Sequence, residues 1–206
     1  MEYCAELARR QAVAVRVAPP EELTRLCHTA EHQGFLARMT DFPYAEETAV
    51  LAALPARPFC AILDGLQDPY NFGAILRSAE VFGVDAVFIA ATGQVGVTSM
   101  VARSSAGAVN RVPVARVDDL EALAGRRQER GLRLVVASEK ATAPLHAENL
   151  AVPSAVIIGN EGQGPRPALI EKSDARVRIP QVGRIGSLNA AVAAAIFFYE
   201  ARRQRG

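Results

Sequence analysis

Three glycine-containing segments of the chain carry the side chains best suited to chemistry. The first, Leu63–Gly83, places Asn71 and Arg77 after a turn that ends an apolar run. Asn71 fits the cap of a helix, and a guanidinium on the next turns could grip a phosphate through two hydrogen bonds. Open α/β sheets bind ligands at the carboxyl ends of their strands, so this segment is a candidate site. Taken alone, it could also be a capped helix with a solvated arginine.

The second segment, Ala155–Pro165, is an apolar run that passes directly into glycines. Three glycines follow Ile158, and Glu161 lies between them. Glycine allows a backbone to approach a ligand closely, so the amides of this loop could hold an adenosine-type ligand beside a carboxylate. The loop does not match the dinucleotide fingerprint G-x-G-x-x-G, which would also follow the first strand of its unit. A tight turn before a helix is an equal alternative for this segment alone.

The third segment, Ile179–Arg205, is an irregular glycine-containing loop that leads into an alanine-rich helix. Ser187 is predicted to cap this helix, and Leu188 and Asn189 follow it. Small side chains let another helix or backbone come very near. The arginines at the end of the helix favour a solvated, dipole-compatible tail over a phosphate contact. They are Arg202, Arg203 and Arg205.

Apolar runs of strand length alternate with helical stretches from residue 59 onwards. The predicted strands are residues 59–63, 86–90, 111–115, 132–137, 154–159 and 175–180. The predicted helices are residues 71–82, 98–108, 117–130 and 165–172, and a last helix from Ser187. This pattern predicts an α/β fold with a mainly parallel sheet and helices on both faces.

The region upstream of the Leu54–Pro58 segment has a different character. Helices are predicted at Tyr3–Ala12, Pro20–His28 and Tyr44–Leu54. Two short strands are predicted between them, at Val13–Val17 and Phe35–Arg38. We therefore expect two domains, a short α/β extension over residues 1–54 and a larger domain over residues 55–206.

Composition sets broad limits on the class of protein. Half of the 206 residues are apolar, the net charge is +1, and three cysteines are scattered without metal-ligand spacing. No zinc site or disulfide framework is predicted, and neither a secretory signal nor a membrane span is recognised, so a cytoplasmic protein is expected. A small net charge does not exclude nucleic acid, because acids elsewhere can balance a basic face.

Together the three segments resemble the SpoU (TrmH-like) family of RNA 2′-O-methyltransferases within the SPOUT superfamily. The family motifs are N-x-G-x-x-x-R, then G-x-E-G-x-G after an apolar strand, then I-P-x-x-G-x-x-x-S-L-N. All three occur in order and at the right spacing, and a stretch similar to the family's S-A-G-A lies between the first two. The matching residues are Asn71, Gly73, Arg77, Gly159, Glu161, Gly162, Gly164, Ile179, Pro180, Gly183, Ser187, Leu188 and Asn189. Two positions depart from it, Gln181 where methionine is common and Gly186 where a polar residue is frequent.

The resemblance implies a C-terminal trefoil knot, a homodimer, S-adenosylmethionine as cofactor and no metal. It assigns Arg77 to a target phosphate and to loss of the 2′-hydroxyl proton, with a phosphate oxygen as the alternative base. It further implies that Asn71 and Glu161 orient Arg77 and the loop, while Ser187 and Asn189 hold the ribose or shape the site. Cofactor contacts, mainly through backbone groups, are implied at Gly159, Gly162, Ile179, Gln181 and Leu188.

Residues 1–54 resemble the second half of a ribosomal-protein-like RNA-binding domain, with His32-Gln33-Gly34 as the most similar piece. The first half of that domain is expected to be missing. This extension favours ribosomal RNA as substrate over tRNA, and RNA rather than DNA or a membrane as partner. A non-catalytic RNA-binding assembly factor remains an alternative. A nucleotide-dependent oxidoreductase is disfavoured, because the first βα loop lacks the glycine fingerprint.

Overall fold

The computed structural model describes residues 2–126 and 131–206 of the 206-residue chain. The chain forms two compact units, Met1–Asp41 and Phe42–Gly206. The first unit ends before residue 54, so the helix predicted at Tyr44–Leu54 belongs to the larger unit. The last residues of the helix predicted at 117–130 lie outside the described residues. No helix in the described ranges is long and apolar enough to cross a membrane.

The first unit contains the two predicted helices but not the two predicted strands. Helix α1 spans Glu2–Arg10 and helix α2 spans Pro20–Cys27. The segments Val13–Val17 and Phe35–Arg38 form no strand, so both strand predictions are wrong. Branched residues such as Val13 and Val17 favour an extended backbone, but the described part of this unit contains no strand that pairs with them, and both side chains are exposed.

The second unit is built on one seven-stranded sheet in which every observed pairing is parallel. The strand order is β3-β2-β1-β6-β4-β7-β5. The strands are β1 Phe59–Asp64, β2 Ala86–Ala90, β3 Val114–Val117, β4 Arg133–Ala137, β5 Ala143–Pro144, β6 Ser154–Gly159 and β7 Ala175–Arg178. All six predicted strands are present, with β3 shifted towards its carboxyl end. Strand β5 was not predicted, because two residues carry no periodicity.

Helices cover both faces of this sheet, as predicted. They are α3 Glu47–Ala53, α4 Pro69–Phe82, α5 Ser99–Ser104, α6 Leu120–Arg126, α7 Pro167–Glu171 and α8 Ala190–Arg205. Helices α4, α5 and α8 share one apolar core with the sheet, and α3, α6 and α7 share the core on the other face. Alternate residues of β1 supply the two cores, with Leu63 on the first and Ile62 on the second.

Two predicted helix caps are wrong. Asp68, not Asn71, caps α4, because its carboxylate accepts from the amide of Tyr70 while Pro69 needs no acceptor. Asn189, not Ser187, caps α8, because its Oδ1 accepts from the two amides that follow Ala190. Asn71 therefore lies inside the first turn of α4 and not before it. Asn189 lies directly before α8, where its side chain reaches the first free amides of the helix.

The helix predicted at 98–108 is also shorter than expected. Helix α5 ends at Ser104, and a 3-10 turn over Ala108–Asn110 follows. Ala106 and Gly107 between them have φ values of 51° and 85°. A left-handed backbone cannot continue a right-handed helix, so the chain turns there towards β3.

The predicted solvated tail at the end of α8 is wrong for Arg205, although Arg202 and Arg203 are exposed. The Arg205 guanidinium donates to the carbonyl oxygens of Arg57, Pro58, Leu150 and Val152 and to Oγ of Ser154. It also lies over the Phe59 ring, 5.2 Å from its centroid. Arg203 pairs with Glu200, while Arg202 is exposed. Arg205 therefore ties the end of α8 to the amino ends of β1 and β6.

Candidate active site

The first two candidate segments begin side by side at the centre of the sheet. Strands β1 and β6 are neighbours, and the register places Leu63 beside Ile158 and Asp64 beside Gly159. Both strands run in the same direction, so the loops that follow them leave the same edge. The sheet topology thus brings together two segments that are about ninety residues apart in sequence, as the contact between Asn71 and Glu161 below shows.

A chain of hydrogen bonds joins three of the predicted catalytic side chains. Nδ2 of Asn71 donates to Oε1 of Glu161 at 2.9 Å, and Oδ1 of Asn71 accepts from Nδ2 of Asn189 at 2.9 Å. Oδ1 of Asn189 in turn accepts from the amides of Ala191 and Val192. One residue from each of the three motifs is therefore part of one network. This network connects the start of α4, the loop after β6 and the start of α8.

Arg77 and Ser187 lie outside this network. Arg77 is exposed on α4, about 9 Å further along the helix axis than Asn71 at about 1.5 Å per residue. Within the described ranges, no hydrogen bond joins Arg77 to Asn71 or Glu161. Ser187 is exposed in the loop before α8. The guanidinium of Arg77 thus faces solvent near the site. Asn71 and Glu161, which were predicted to orient it, do not do so through a direct hydrogen bond.

The loop after β6 is folded tightly on itself, and only glycine fits at its first position. A Cβ atom on Gly159 would lie 2.0 Å from the backbone nitrogen of Pro165. Asn160 holds the loop closed, because its Oδ1 accepts from the amides of Gly162 and Gln163 and its Nδ2 donates to the Gly65 carbonyl. The Gly162 amide is therefore already used, which leaves its carbonyl as the group free for a ligand.

Sequence reasoning did not single out Asn160, although an asparagine directly after a strand and within glycines is typical of side-chain-closed turns. It also missed the pair of Asp64 and Arg166. Asp64, only 3% exposed, accepts from the backbone amide of Arg166 at 2.7 Å and from its Nε at 2.8 Å. The hydrogen bond that Arg166 donates to Asp64 raises the pKa of Arg166. This pair anchors the far end of the loop to the end of β1.

The third segment presents exposed backbone groups beside apolar side chains. Residues 181–189 are exposed, and Val182 and Ile185 extend fully or mostly into solvent. Among the described residues, the amides of 181–188 have no hydrogen-bond partner. Ile179 packs partly against the core, and Leu188 is 39% exposed. Such a loop fits an amphipathic ligand whose polar edges bind backbone groups, which is the donor set that an adenosine-containing cofactor needs.

The described residues contain no group of three or more His, Cys, Asp or Glu side chains that could hold a metal ion.

Comparisons with known proteins agree with this arrangement of motifs. The SpoU rRNA methylase family matches residues 58–199, and the family described as RNA 2′-O ribose methyltransferase substrate binding matches residues 2–45. The protein YacO of Bacillus subtilis (strain 168), assigned to the TrmH family of tRNA/rRNA methyltransferases, is 36% identical over 203 residues. That alignment covers 97% of this chain and 81% of YacO.

Solved structures share the fold. The SpoU methyltransferase AviRb from Streptomyces viridochromogenes superimposes with a TM-score of 0.74 at 28% identity, covering 80% of this chain and 65% of AviRb. The complex of AviRb with the cofactor AdoMet gives a TM-score of 0.73 at 29% identity, with coverages of 80% and 66%. The chain thus spans slightly less than two thirds of AviRb. Since the family match covers more than half of the residues, the chain belongs to the SpoU rRNA methylase family.

Proposed function

We propose that this protein transfers a methyl group from S-adenosylmethionine to a ribose 2′-hydroxyl of a structured RNA in the cytoplasm. The observation that carries the proposal is the hydrogen-bonded chain Glu161–Asn71–Asn189, which joins all three family motifs at the carboxyl ends of β1 and β6. The match of residues 2–45 to a substrate-binding family of 2′-O ribose methyltransferases supports the choice of the 2′-oxygen. Ribosomal RNA is the favoured substrate class, with tRNA as the alternative.

The cofactor would be held by the second and third segments. Free backbone groups in residues 181–188, with Ile179 and Leu188 as apolar contacts, fit its adenosine part. Gly159, Gln181 and the carbonyl of Gly162 complete the proposed set. S-Adenosylmethionine supplies an electrophilic methyl group on a sulfonium sulfur. AviRb, which binds AdoMet, has the same fold and supports this choice.

The protein's own residues would mainly position the RNA. Arg77 is exposed and has no acidic partner within the described ranges, so its guanidinium can bind a target phosphate through two hydrogen bonds. Guanidinium remains charged, so the 2′-hydroxyl proton passes to an oxygen of the bound phosphate rather than to Arg77. Ser187 and Asn189 would hold the ribose. Such a site lowers the activation barrier of methyl transfer by aligning the ribose hydroxyl, a weak nucleophile, with the methyl group.

A homodimer and a C-terminal trefoil knot are part of the same proposal. An apolar groove of about 420 Å³ lies between α4 and α8, with Ala74, Val192, Ile196 and Tyr199 among its lining residues. Val192 is 47% exposed and Tyr199 is 55% exposed. A second copy of the chain would remove this apolar surface from water.

The experiment that tests the proposal is incubation with S-adenosylmethionine labelled in the methyl group and with separate pools of rRNA and tRNA. We expect label in a 2′-O-methyl nucleoside from one pool, which would also name the substrate class. Label on a base would contradict the proposed acceptor. Intact cofactor and RNA binding without transfer to either pool, including immature ribosomal particles, would favour the non-catalytic assembly factor.

A further inference from the structure

A second pocket lies at the amino ends of β1 and β2, at the edge of the sheet opposite to the candidate active site. It has a volume of about 230 Å³, and Arg57, Arg202, Arg205 and Asp85 are its charged lining residues. Phe59 and Phe82 form part of its wall. Three guanidinium groups against one carboxylate leave two positive charges in excess. None of these residues belongs to the three motifs of the proposed methyl-transfer site.

The helix dipoles reduce this excess but do not cancel it. Helices α4 and α8 both end at the pocket, with Phe82 and Arg205 as their last residues. Each carboxyl end carries about half a negative charge. By the same estimate, the charged lining side chains and the two helix ends together carry a net positive charge of roughly one. One arginine would be enough to balance the partial negative charges of the two helix ends. Three arginines are therefore more than the helix dipoles require.

Arg205 supplies a fixed positive charge. Its guanidinium is half-buried and is held by four carbonyl oxygens and a hydroxyl, none of which carries a charge. Asp85 is only partly available to it, because Oδ2 of Asp85 accepts from the amide of Phe59 at 2.7 Å. Burial lowers the pKa of Arg205, Asp85 opposes this effect, and the charge of Arg57 adds to it. An incoming anion would relieve this repulsion.

Arg57 and Arg202 supply the free donors. Both side chains are exposed, and neither forms an ion pair with an acid within the described ranges. Two exposed arginines that line one small pocket suit a tetrahedral anion, since each guanidinium group can donate two parallel hydrogen bonds to its oxygens. A volume of about 230 Å³ is large enough to admit a single phosphate group.

We infer that this pocket binds a phosphate group of the RNA substrate at a point remote from the methyl-transfer site. The RNA as the source of the phosphate rests on the proposed function. The two sites are separated by the length of β1, which is about 20 Å at about 3.3 Å per residue. A structured RNA spans this distance, so the pocket would act as a second anchor that fixes the orientation of the RNA without touching the reacting atoms.

The test compares Arg57→Gln, Arg202→Gln and the double variant with the original protein. Arg176→Gln is the matched control, since Arg176 is an exposed arginine of β7 away from this pocket. Each pocket variant should weaken RNA binding and lower the slope of log K against log salt by about one, and the double variant by about two. The control should show a smaller change. Affinity for S-adenosylmethionine should be unchanged, and KM for RNA should rise while kcat stays the same.

Competition with inorganic phosphate distinguishes the two sources of the anion. If phosphate binds and both arginines are needed for it, but RNA affinity and salt slope do not change in the double variant, the pocket serves a small anion and the inference about RNA is wrong. Sedimentation of Arg202→Gln tests whether this arginine instead contributes to an interface between copies of the chain. A change in oligomeric state without a change in the salt slope would also overturn the inference. Salt-dependent RNA binding is measured without turnover, so a failure of methyl transfer would refute the proposed function and leave this test intact.

Discussion

The side-chain amide of Asn71 forms hydrogen bonds through both its nitrogen and its oxygen. Its nitrogen donates to Glu161 and its oxygen accepts from Asn189, so one rotamer and one orientation of the amide satisfy both partners. No other residue type of the same size can supply a donor and an acceptor in this way, since aspartate only accepts when ionised. At the scale of single residues, the site therefore depends on a neutral amide between a carboxylate and a second amide.

Asn71→Asp should disrupt this network with almost no change in volume. The new carboxylate would face Glu161 at hydrogen-bond distance, so like charges would replace a hydrogen bond and the loop after β6 would shift. We expect kcat/KM for methyl transfer to fall by about tenfold or more, as a loss of 1.4 kcal/mol or more would produce. Asn149→Asp is the control, because Asn149 uses only its acceptor, towards the amide of Ala151. Equal activities of the two variants would argue against a role for the network.

Arg77→Ala should lose most of the turnover and leave cofactor affinity intact. Arg77 is exposed and lies outside the network of Asn71, so its loss should not disturb the loops proposed to hold S-adenosylmethionine. We expect kcat to fall by about a hundredfold, the cost of misplacing a reacting group. Single-turnover kinetics and calorimetric titration with the cofactor measure the two effects separately. A parallel loss of both would contradict the assignment of Arg77 to the RNA phosphate.

At the scale of elements, the loop after β6 depends on contacts that sequence motifs do not describe. Gly159 is required because Pro165 lies against it, Asn160 closes the turn, and the pair of Asp64 and Arg166 ties its end to β1. Three separate interactions thus hold about seven residues in one shape. A loop that is preorganised in this way does not have to be ordered by its ligand.

Gly159→Ala should deform this loop. The added methyl carbon would meet backbone atoms of Gly164 and Pro165 at 2.2 Å and 2.0 Å, so the backbone itself has to move. We expect a loss of about 1–3 kcal/mol in the free energy of unfolding and weaker binding of S-adenosylmethionine. Gly125→Ala is the control: this glycine lies in α6 with nothing within 4 Å of an added Cβ, so the change should stabilise by up to about 1 kcal/mol. Thermal unfolding and cofactor titration of both variants give the comparison, and unaltered melting of Gly159→Ala would show that the loop relaxes freely.

At the scale of the whole molecule, the apolar groove between α4 and α8 bears on the proposed homodimer. Val192→Glu would place a charge among apolar lining residues, which costs free energy only if a partner covers the groove. We therefore expect a dimer for the original protein and a monomer for the variant in sedimentation velocity at micromolar concentration. Val17→Glu, at an exposed valine of the first compact unit, should leave the association unchanged. A monomeric original protein would refute the homodimer.

Most of the fold of the second unit could be predicted from local patterns. Continuous apolar runs such as Phe59–Leu63 predicted buried parallel strands, because both faces of such a strand are covered. The failures have physical causes of the same kind. Val13–Val17 has the composition of a strand, but no strand lies beside it in the described part of its unit. Ser187 has the chemistry of a cap, but Asn189 caps the helix instead, because its side chain accepts from two free amides. A sequence pattern shows which structures a segment can form, and contacts with neighbouring elements determine which of them it adopts.

Composition and spacing along the chain were enough to predict the alternation of strands and helices, the family motifs and the residue types of the candidate site. The folded structure was needed to establish three contacts: Asn71 bonds to both Glu161 and Asn189, Asn160 accepts from the amide of Gly162, and Arg205 binds carbonyl oxygens rather than solvent. These contacts join residues on different elements, and the order of strands in the sheet sets which loops meet. Spacing in sequence does not show which loops lie close together in space. The motifs therefore predicted which residues form the site, and the fold determines which of them bind one another.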